Sequence, residues 1–273
     1  MKNLNSQHSM CIISYNIRYD THTDAEYPWS FRRSHVIDLL RFHKPDIFGL
    51  QEATPGQVAD VASELSDEFS WTGRPRDGGS EGEVTPLFYR TKRFYAHHDR
   101  TRWLSDDPEQ PGSLGWDADV PRTVVSATLE DTFTGALLRV YNTHFDNVGR
   151  TAVANSIRLL EDWTANDWAS HDADTSGAFV VLGDLNFTPE QEEYRAMSRF
   201  SRDAATYAQT LRYGPDFTYI GPGFEVSSTA GTRYDYVFVG PAVTVDTHAI
   251  LTDSYRGSYP SDHLPLRVEV RLS

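Results

Sequence analysis

Apolar, β-branched runs recur along this chain, and many of them end on a polar side chain suited to chemistry. Met10 to Ile17 alternates and reads as a strand ending at Asn16. Asp46 to Leu50 is a short buried strand that delivers Gln51 and Glu52. Further strands are predicted near Val84 to Tyr89, from Phe94 to Trp103 and from Arg122 to Leu129. Another runs from Leu137 to Phe145 and carries Asn142-Thr143-His144 at its end, and Ala178 to Leu182 feeds Gly183-Asp184-Leu185-Asn186. Tyr234 to Val239 and Leu266 to Val270 complete the set, with Ser261-Asp262-His263-Leu264-Pro265 just before the last. Helical spacing appears over Phe31 to His43 (Val36, Leu39, Leu40), closed by Pro45, and over Pro55 to Leu65, with proline in the first turn. Helices are also predicted from about Gly149 to Trp168 and from Glu190 to Arg199. Gly73 to Glu83 and Ser105 to Val120 read as loops, the second long enough to suggest a role in function. Strands outnumber helices and both recur throughout, so the class is α/β.

Composition narrows the setting. The chain has 273 residues with 39% hydrophobic and 12% aromatic content, enough for a substantial core. The polar exits run from Asn16 to His263, so one domain with a core of about 10–271 is expected, because a split would divide the set. No apolar run approaches the roughly 18 residues of a membrane span. Met1 to Met10 is polar and has no secretory h-region, and the one cysteine, Cys11, sits in an apolar run; a cytoplasmic protein is expected. The net charge of −14 argues against a generic nucleic-acid coat, since phosphate affinity comes largely from Lys and Arg. Lysine occurs only at positions 2, 44 and 92, so 22 of the 25 basic residues are arginine, and aspartate outnumbers glutamate 25 to 14. Such a surface suits a monomer in a salt-loving source, while a GC-rich genome explains the arginine equally well.

Taken singly, each polar exit has an ordinary explanation. Glu52 reads as a solvated carboxylate, Asp184 as an Asx turn, His144 as an interior histidine, and Asp262-His263 as a cap or surface turn. Taken together they form the set that metal-assisted attack on a phosphate ester requires: hard oxygen ligands for Mg²⁺, a carboxylate to aim a water, and imidazoles for the phosphate oxygens.

The ordered motifs Ser14-Tyr15-Asn16, Leu50-Gln51-Glu52, Asn142-Thr143-His144, Gly183-Asp184-Leu185-Asn186, Arg233-Tyr234-Asp235-Tyr236 and Ser261-Asp262-His263-Leu264-Pro265 resemble the endonuclease/exonuclease/phosphatase superfamily over residues 11–268. The resemblance implies a four-layer α/β sandwich like that of deoxyribonuclease I, two mixed β-sheets face to face with flanking helices and the site at one rim. It implies Glu52 as the principal Mg²⁺ ligand, with Asn16 beside it and Asp262 contributing; Mn²⁺ is a possible substitute. Asp184 would position or deprotonate the attacking water, and Asn186 would hold a phosphate oxygen. His263, oriented by Asp235, would bind the phosphate or shuttle its proton, with His144 as the second phosphate histidine. Glu83 is similar to the carboxylate partner of His144, and Arg122 to an arginine that reaches the phosphates. Apurinic endonucleases carry an acidic residue two positions after the first-strand asparagine, where this chain has Arg18. Arg74, Arg76 and Trp116 lie on the long loops, where substrate-pocket residues are expected.

The expected activity is therefore Mg²⁺-dependent hydrolysis of a phosphate ester by direct attack of water. Nucleic acid or a nucleotide-derived diester is the first choice of substrate. A small-molecule or lipid-headgroup phosphatase is the alternative, favoured by the acidic surface. A non-catalytic interaction module on the same fold is the rival from another class, and it has no need of the complete residue set.

Overall fold

The computed structural model describes residues 9–24, 27–167, 177–210, 212–224 and 231–272. In chain order the elements are β1 (Met10–Asn16), α1 (Trp29–His43), β2 (Ile47–Gln51), α2 (Pro55–Glu64), β3 (Phe69–Thr72), β4 (Leu87–Arg90) and β5 (Phe94–Trp103). They continue as β6 (Thr123–Asp131), β7 (Leu137–His144), α3 (Arg150–Asn166), β8 (Phe179–Asp184) and α4 (Glu192–Met197). Last come β9 (Arg202–Asp203), α5 (Ala204–Tyr207), β10 (Asp235–Val239), β11 (Val243–Ile250) and β12 (Leu266–Leu272).

The strands form two six-stranded mixed sheets, ordered β11-β12-β1-β2-β4-β3 and β5-β6-β7-β8-β10-β9. Each contains one parallel pair, β1 with β2 and β7 with β8, and each pair is bridged by a long helix, α1 or α3. That is the connection a parallel pair needs, since a tight turn can only reverse the chain. The inner faces meet in a core of short branched side chains, among them Ile12, Ile47, Val125, Val140, Leu182 and Val268. Helices α1 and α2 cover the outer face of the first sheet through Val36, Leu40, Val58 and Val61. Helix α3 covers the second through Val153, Ile157 and Leu160, with Met197 of α4 alongside. This is the four-layer α/β sandwich expected from the sequence. Coverage on both sides explains why β1, β2 and β8 are buried at every position.

Three strands, β3, β9 and β11, are absent from the sequence prediction; β9 has only two residues. β3 has only four residues and lies at a sheet edge with Trp71 exposed, so its signal is short and weak. β11 does alternate, Val243-Thr-Val-Asp-Thr-His-Ala-Ile250, but polar residues share its length and the period was obscured. Elsewhere boundaries move by a few residues. α1 starts at Trp29, after Pro28, and α4 spans only Glu192–Met197. α3 ends at Asn166, and Trp168, the expected end of that helix, lies outside the described residues.

A polar staple joins the sheets below the rim where the motifs gather. Asn142 of β7 donates to the carbonyls of Leu50 (3.0 Å) and Pro86 (2.9 Å), and Gln51 Nε2 donates to its Oδ1 at 2.7 Å. Gly49 makes room for it, since a Cβ there would lie 2.5 Å from Asn142 Cγ. Asn142→Ala removes these bonds and opens a cavity, so a loss of about 3 kcal/mol in urea unfolding is expected. A loss below about 1 kcal/mol would show that the staple is dispensable.

Candidate active site

Pairing register brings the polar exits together. Across β1 and β2, Asn16 pairs with Gln51, which places Glu52 one residue beyond. Across β7, β8 and β10, His144 pairs with Asp184 and Asp184 with Asp235. The loop before β12 brings in Asp262 and His263; Ser261 Oγ ties it to the Asn16 carbonyl at 2.7 Å. Buried Arg32 of α1 fastens the same corner, donating from Nη1 to the carbonyls of Ile17 (2.6 Å) and Pro260 (3.0 Å), and from Nη2 to that of Arg18 (3.1 Å).

Backbone conformation marks the same place. Arg18, Glu52 and Asn186 have φ of 56°, 59° and 51°, left-handed values that non-glycine residues rarely adopt. Before Asp184 stands Gly183, where a Cβ would lie 1.8 Å from the Thr143 carbonyl oxygen, so no other residue fits.

At the centre lies Asp184 Oδ2. Asn16 Nδ2 donates to it at 3.0 Å, while His144 Nε2 and His263 Nε2 stand 3.6 and 3.7 Å away. Asn16 Nδ2 also donates to Glu52 Oε1 at 3.0 Å, and Asn16 Oδ1 accepts from the Arg18 amide at 3.0 Å. The Arg18 N–H orients that amide, so the Asn16 oxygen faces Arg18 and its nitrogen faces the two carboxylates. Asn16, expected beside the metal, bridges the two carboxylates. Among the described residues, Glu52, Asp184 and His263 offer ligand atoms that all lie within 4.8 Å of one another. Asp262, also expected at the metal, is outside that group and lies 3.8 Å from Arg18 Nη1.

The two histidines differ in their partners. Asp235 Oδ2 lies 2.7 Å from His263 Nδ1, and Asp235 is itself held by its backbone N–H bond to Thr218 Oγ1. Burial opposes charge on His263, but Asp235, Asp184 and Asp262 outweigh it and raise its pKa well above the ordinary value. His144 moves the other way: burial, then Arg122, Arg76 and His263, hold it well below the ordinary value. Among the described residues, its Nδ1 has no hydrogen-bond partner. Glu83, expected as that partner, instead accepts from Arg76 Nη1 at 2.7 Å. The reason is geometric: the 73–83 loop folds back on itself, with the Arg76 amide donating to the Glu83 carbonyl at 2.9 Å.

Asp184 is pushed up to about 7, mainly by burial and then by Asp235 and Glu52, against the pull of His263 and Asn16. Burial and Glu52 likewise raise Asp262. Carboxylates so crowded call for a cation, and the oxygens of Glu52 and Asp184 are hard donors that suit a divalent ion.

These groups line a cleft of about 710 Å³. Five carboxylates (Glu52, Glu83, Asp119, Asp184, Asp262) face it, with three guanidiniums (Arg18, Arg76, Arg122) and His263 as the opposing positive groups. Arg122 is aimed by Asp146 (3.3 Å) and Asn147 (3.1 Å), and Asn186 Nδ2 donates to the Phe145 carbonyl at 3.0 Å. Arg74 and Trp116 are not among the lining residues. Arg74 lies over the Trp103 ring and Trp116 donates to Asp106. Tyr19, Tyr219, Tyr234, Asp119 and Asn147 line the cleft without having been singled out in the sequence. For Tyr19 and Tyr234 the available signal was position, next to Arg18 and Asp235.

Fold and site together define a phosphoesterase-type hydrolase scaffold. The profile of the Endonuclease/Exonuclease/phosphatase family matches residues 13–263, and the chain belongs to that family. It is similar to an endonuclease/exonuclease/phosphatase from Bacteroides vulgatus, with 29% identity over 98% of this chain and all of that one, and a TM-score of 0.89. It is similar to a mannosyl-6-phosphatase of Bacteroides thetaiotaomicron, with 28% identity, 96% and 99% coverage and a TM-score of 0.87. An uncharacterised protein of Acanthamoeba polyphaga mimivirus is 31% identical over 124 residues, 39% of this chain and 18% of the viral protein. Among the described residues, no helix is long and apolar enough to cross a membrane.

Proposed function

We propose that this protein is a divalent-metal-dependent phosphatase of small phosphate esters, with a phosphorylated sugar as the substrate class. The observation that carries the reading is the convergence of Glu52, Asp184 and His263, with His144 and Asn186 beside them, in one bounded cleft. A cleft of this volume matches a small ligand. Tyr19, Tyr219 and Tyr234 offer aromatic faces to a sugar ring, and Asp119 and Asn147 offer polar groups to its hydroxyls. The net charge of −14 disfavours a polyanion. The similar Bacteroides thetaiotaomicron protein is named for a phosphorylated mannose.

Glu52 is the principal metal ligand, projected into the cleft by its left-handed backbone. A bound Mg²⁺ or Mn²⁺ would supply charge neutralisation at the phosphoryl oxygens. Asp184 orients the attacking water and takes its proton, steadied by Asn16 Nδ2. His263, clamped by Asp235, meets a phosphoryl oxygen as a donor from Nε2. His144 and Asn186 hold the remaining oxygens, and Arg122 supports them from the wall.

The test is a panel containing mannose 6-phosphate, glucose 6-phosphate, inositol phosphates, bis-p-nitrophenyl phosphate, single-stranded RNA and plasmid DNA, with His263→Ala as the blank. Release of phosphate from the monoesters, lost in the variant, is expected. Polymer turnover exceeding monoester turnover would overturn the substrate class and favour a nuclease.

A further inference from the structure

Asp146 stands just after His144 at the exit of β7 and is almost fully buried. Its two oxygens have separate duties. Oδ1 accepts from the amides of Val148 (3.0 Å) and Gly149 (2.6 Å), closing the turn that leads into α3. Oδ2 accepts from Arg122 Nε and from the Asp119 amide, both at 3.3 Å. Asn147 Oδ1 accepts from Arg122 Nη2 at 3.1 Å, and Nη1 is bonded to none of the described residues. Arg122 lines the cleft and, among charged groups, does most to depress the pKa of His144, so it stands beside that histidine. The base on which Asp146 sits is firm. Asp117 accepts from the amides of Ala152 (2.7 Å) and Thr151 (3.2 Å) in the first turn of α3. Gly149 lets that loop lie flat on the helix, since a Cβ there would be 2.5 Å from the Asp117 carbonyl oxygen. Burial opposes charge on Asp146, but the amides of Gly149 and Val148, with Arg122, outweigh it and hold its carboxyl below the ordinary value.

We propose that Asp146 is a positioning residue for substrate binding that acts through Arg122, holding the guanidinium so that its Nη1 edge is presented to the phosphoryl group. The inference rests on the phosphatase reading above and adds to it a residue that touches neither substrate nor metal. One carboxylate ties the arginine of the cleft, the wall at Asp119 and Val120, and the entry to α3 into a single unit. A long arginine side chain loses much rotamer freedom when a ligand fixes it. Ordering it beforehand, from behind, removes that loss from binding.

Asp146→Asn separates the two duties. The asparagine oxygen can keep the turn into α3, but its amide nitrogen then meets Arg122 Nε and the Asp119 amide, donor against donor. With mannose 6-phosphate and saturating Mg²⁺, kcat/KM is expected to fall about tenfold, the scale of one hydrogen bond to a charged group, and the loss should fall on KM more than on kcat. The dissociation constant of inorganic phosphate, measured by calorimetry on the Mg²⁺-supplied protein, should rise by a similar factor. In an Arg122→Ala background the same substitution should change either quantity by less than about twofold, whereas general damage to the fold would carry into both backgrounds alike. Asp146→Ser keeps an acceptor for the turn and removes Oδ2, so it should behave as the asparagine variant does and replaces it if that variant misfolds. No loss in the wild-type background, or an equal loss with and without Arg122, would overturn the inference and leave the proposed function standing. Wild type that neither binds inorganic phosphate nor releases it from any monoester would remove the proposed function, and this inference with it.

Discussion

Asp184→Asn is expected to lower turnover by about 10³–10⁴-fold, the scale of losing a positioned general base together with its electrostatic contribution. Because the change is nearly isosteric, the fold should persist. The same substitution is expected to raise the thermal stability of the metal-free protein. A free aspartate ionises near 3.9, whereas in the fold burial, Asp235 and Glu52 push Asp184 up to about 7. Between these values the unfolded chain is ionised while the fold retains the proton. The unfolded state therefore binds fewer protons, and this group's contribution to stability falls as pH rises from about 4 to about 7. Asparagine escapes a penalty of at most about 4 kcal/mol, offset by the loss of an accepted hydrogen bond, since Asp184 accepts from both Asn16 and the Asn186 amide. A net gain of about 1–2 kcal/mol, or ~3–6 °C, remains. Calorimetry in EDTA at pH 5 and pH 8 checks it: the advantage of the variant should be larger at pH 8. A variant that melts below wild type at pH 8 would contradict this electrostatic account.

Glu52→Gln should separate binding of the ion from the rest of the site. Replacing a group that merely orients a ligand typically weakens metal affinity 10–100-fold, so loss of the principal carboxylate should weaken it by at least ~100-fold. Turnover should fall with it and recover only in part at high Mg²⁺. Wild type at 100 times its dissociation constant should gain about 2.7 kcal/mol from the ion, and the variant almost none. Melting curves with and without Mg²⁺ read this directly. An equal metal-induced rise in both proteins would place the ion elsewhere.

Much of this arrangement was legible in the sequence because the central strands are covered on both faces. β1, β2 and β8 had to be apolar throughout, so Asn16, Glu52 and Asp184 stood out at their ends. What stayed hidden was set by partners distant along the chain. Arg32 sits at helical spacing with Trp29 and Val36, on the face that should be apolar; only the carbonyls of Ile17, Arg18 and Pro260 explain a guanidinium there. The pairing of Glu83 with Arg76, in place of His144, depends on how the 73–83 loop turns back. Tyr219 reaches the cleft because its segment bridges to His263, a contact that no local pattern announces. The amide orientation of Asn16 follows from the Arg18 N–H, a backbone contact that no residue pattern announces.

The most direct measurement is phosphate release from mannose 6-phosphate by wild type stripped with EDTA and then supplied with Mg²⁺, beside Glu52→Gln treated identically. Metal-dependent hydrolysis at this cleft predicts no release from the stripped enzyme, full recovery on adding Mg²⁺, and little recovery in the variant. Undiminished release in EDTA, or equal recovery in Glu52→Gln, would contradict it.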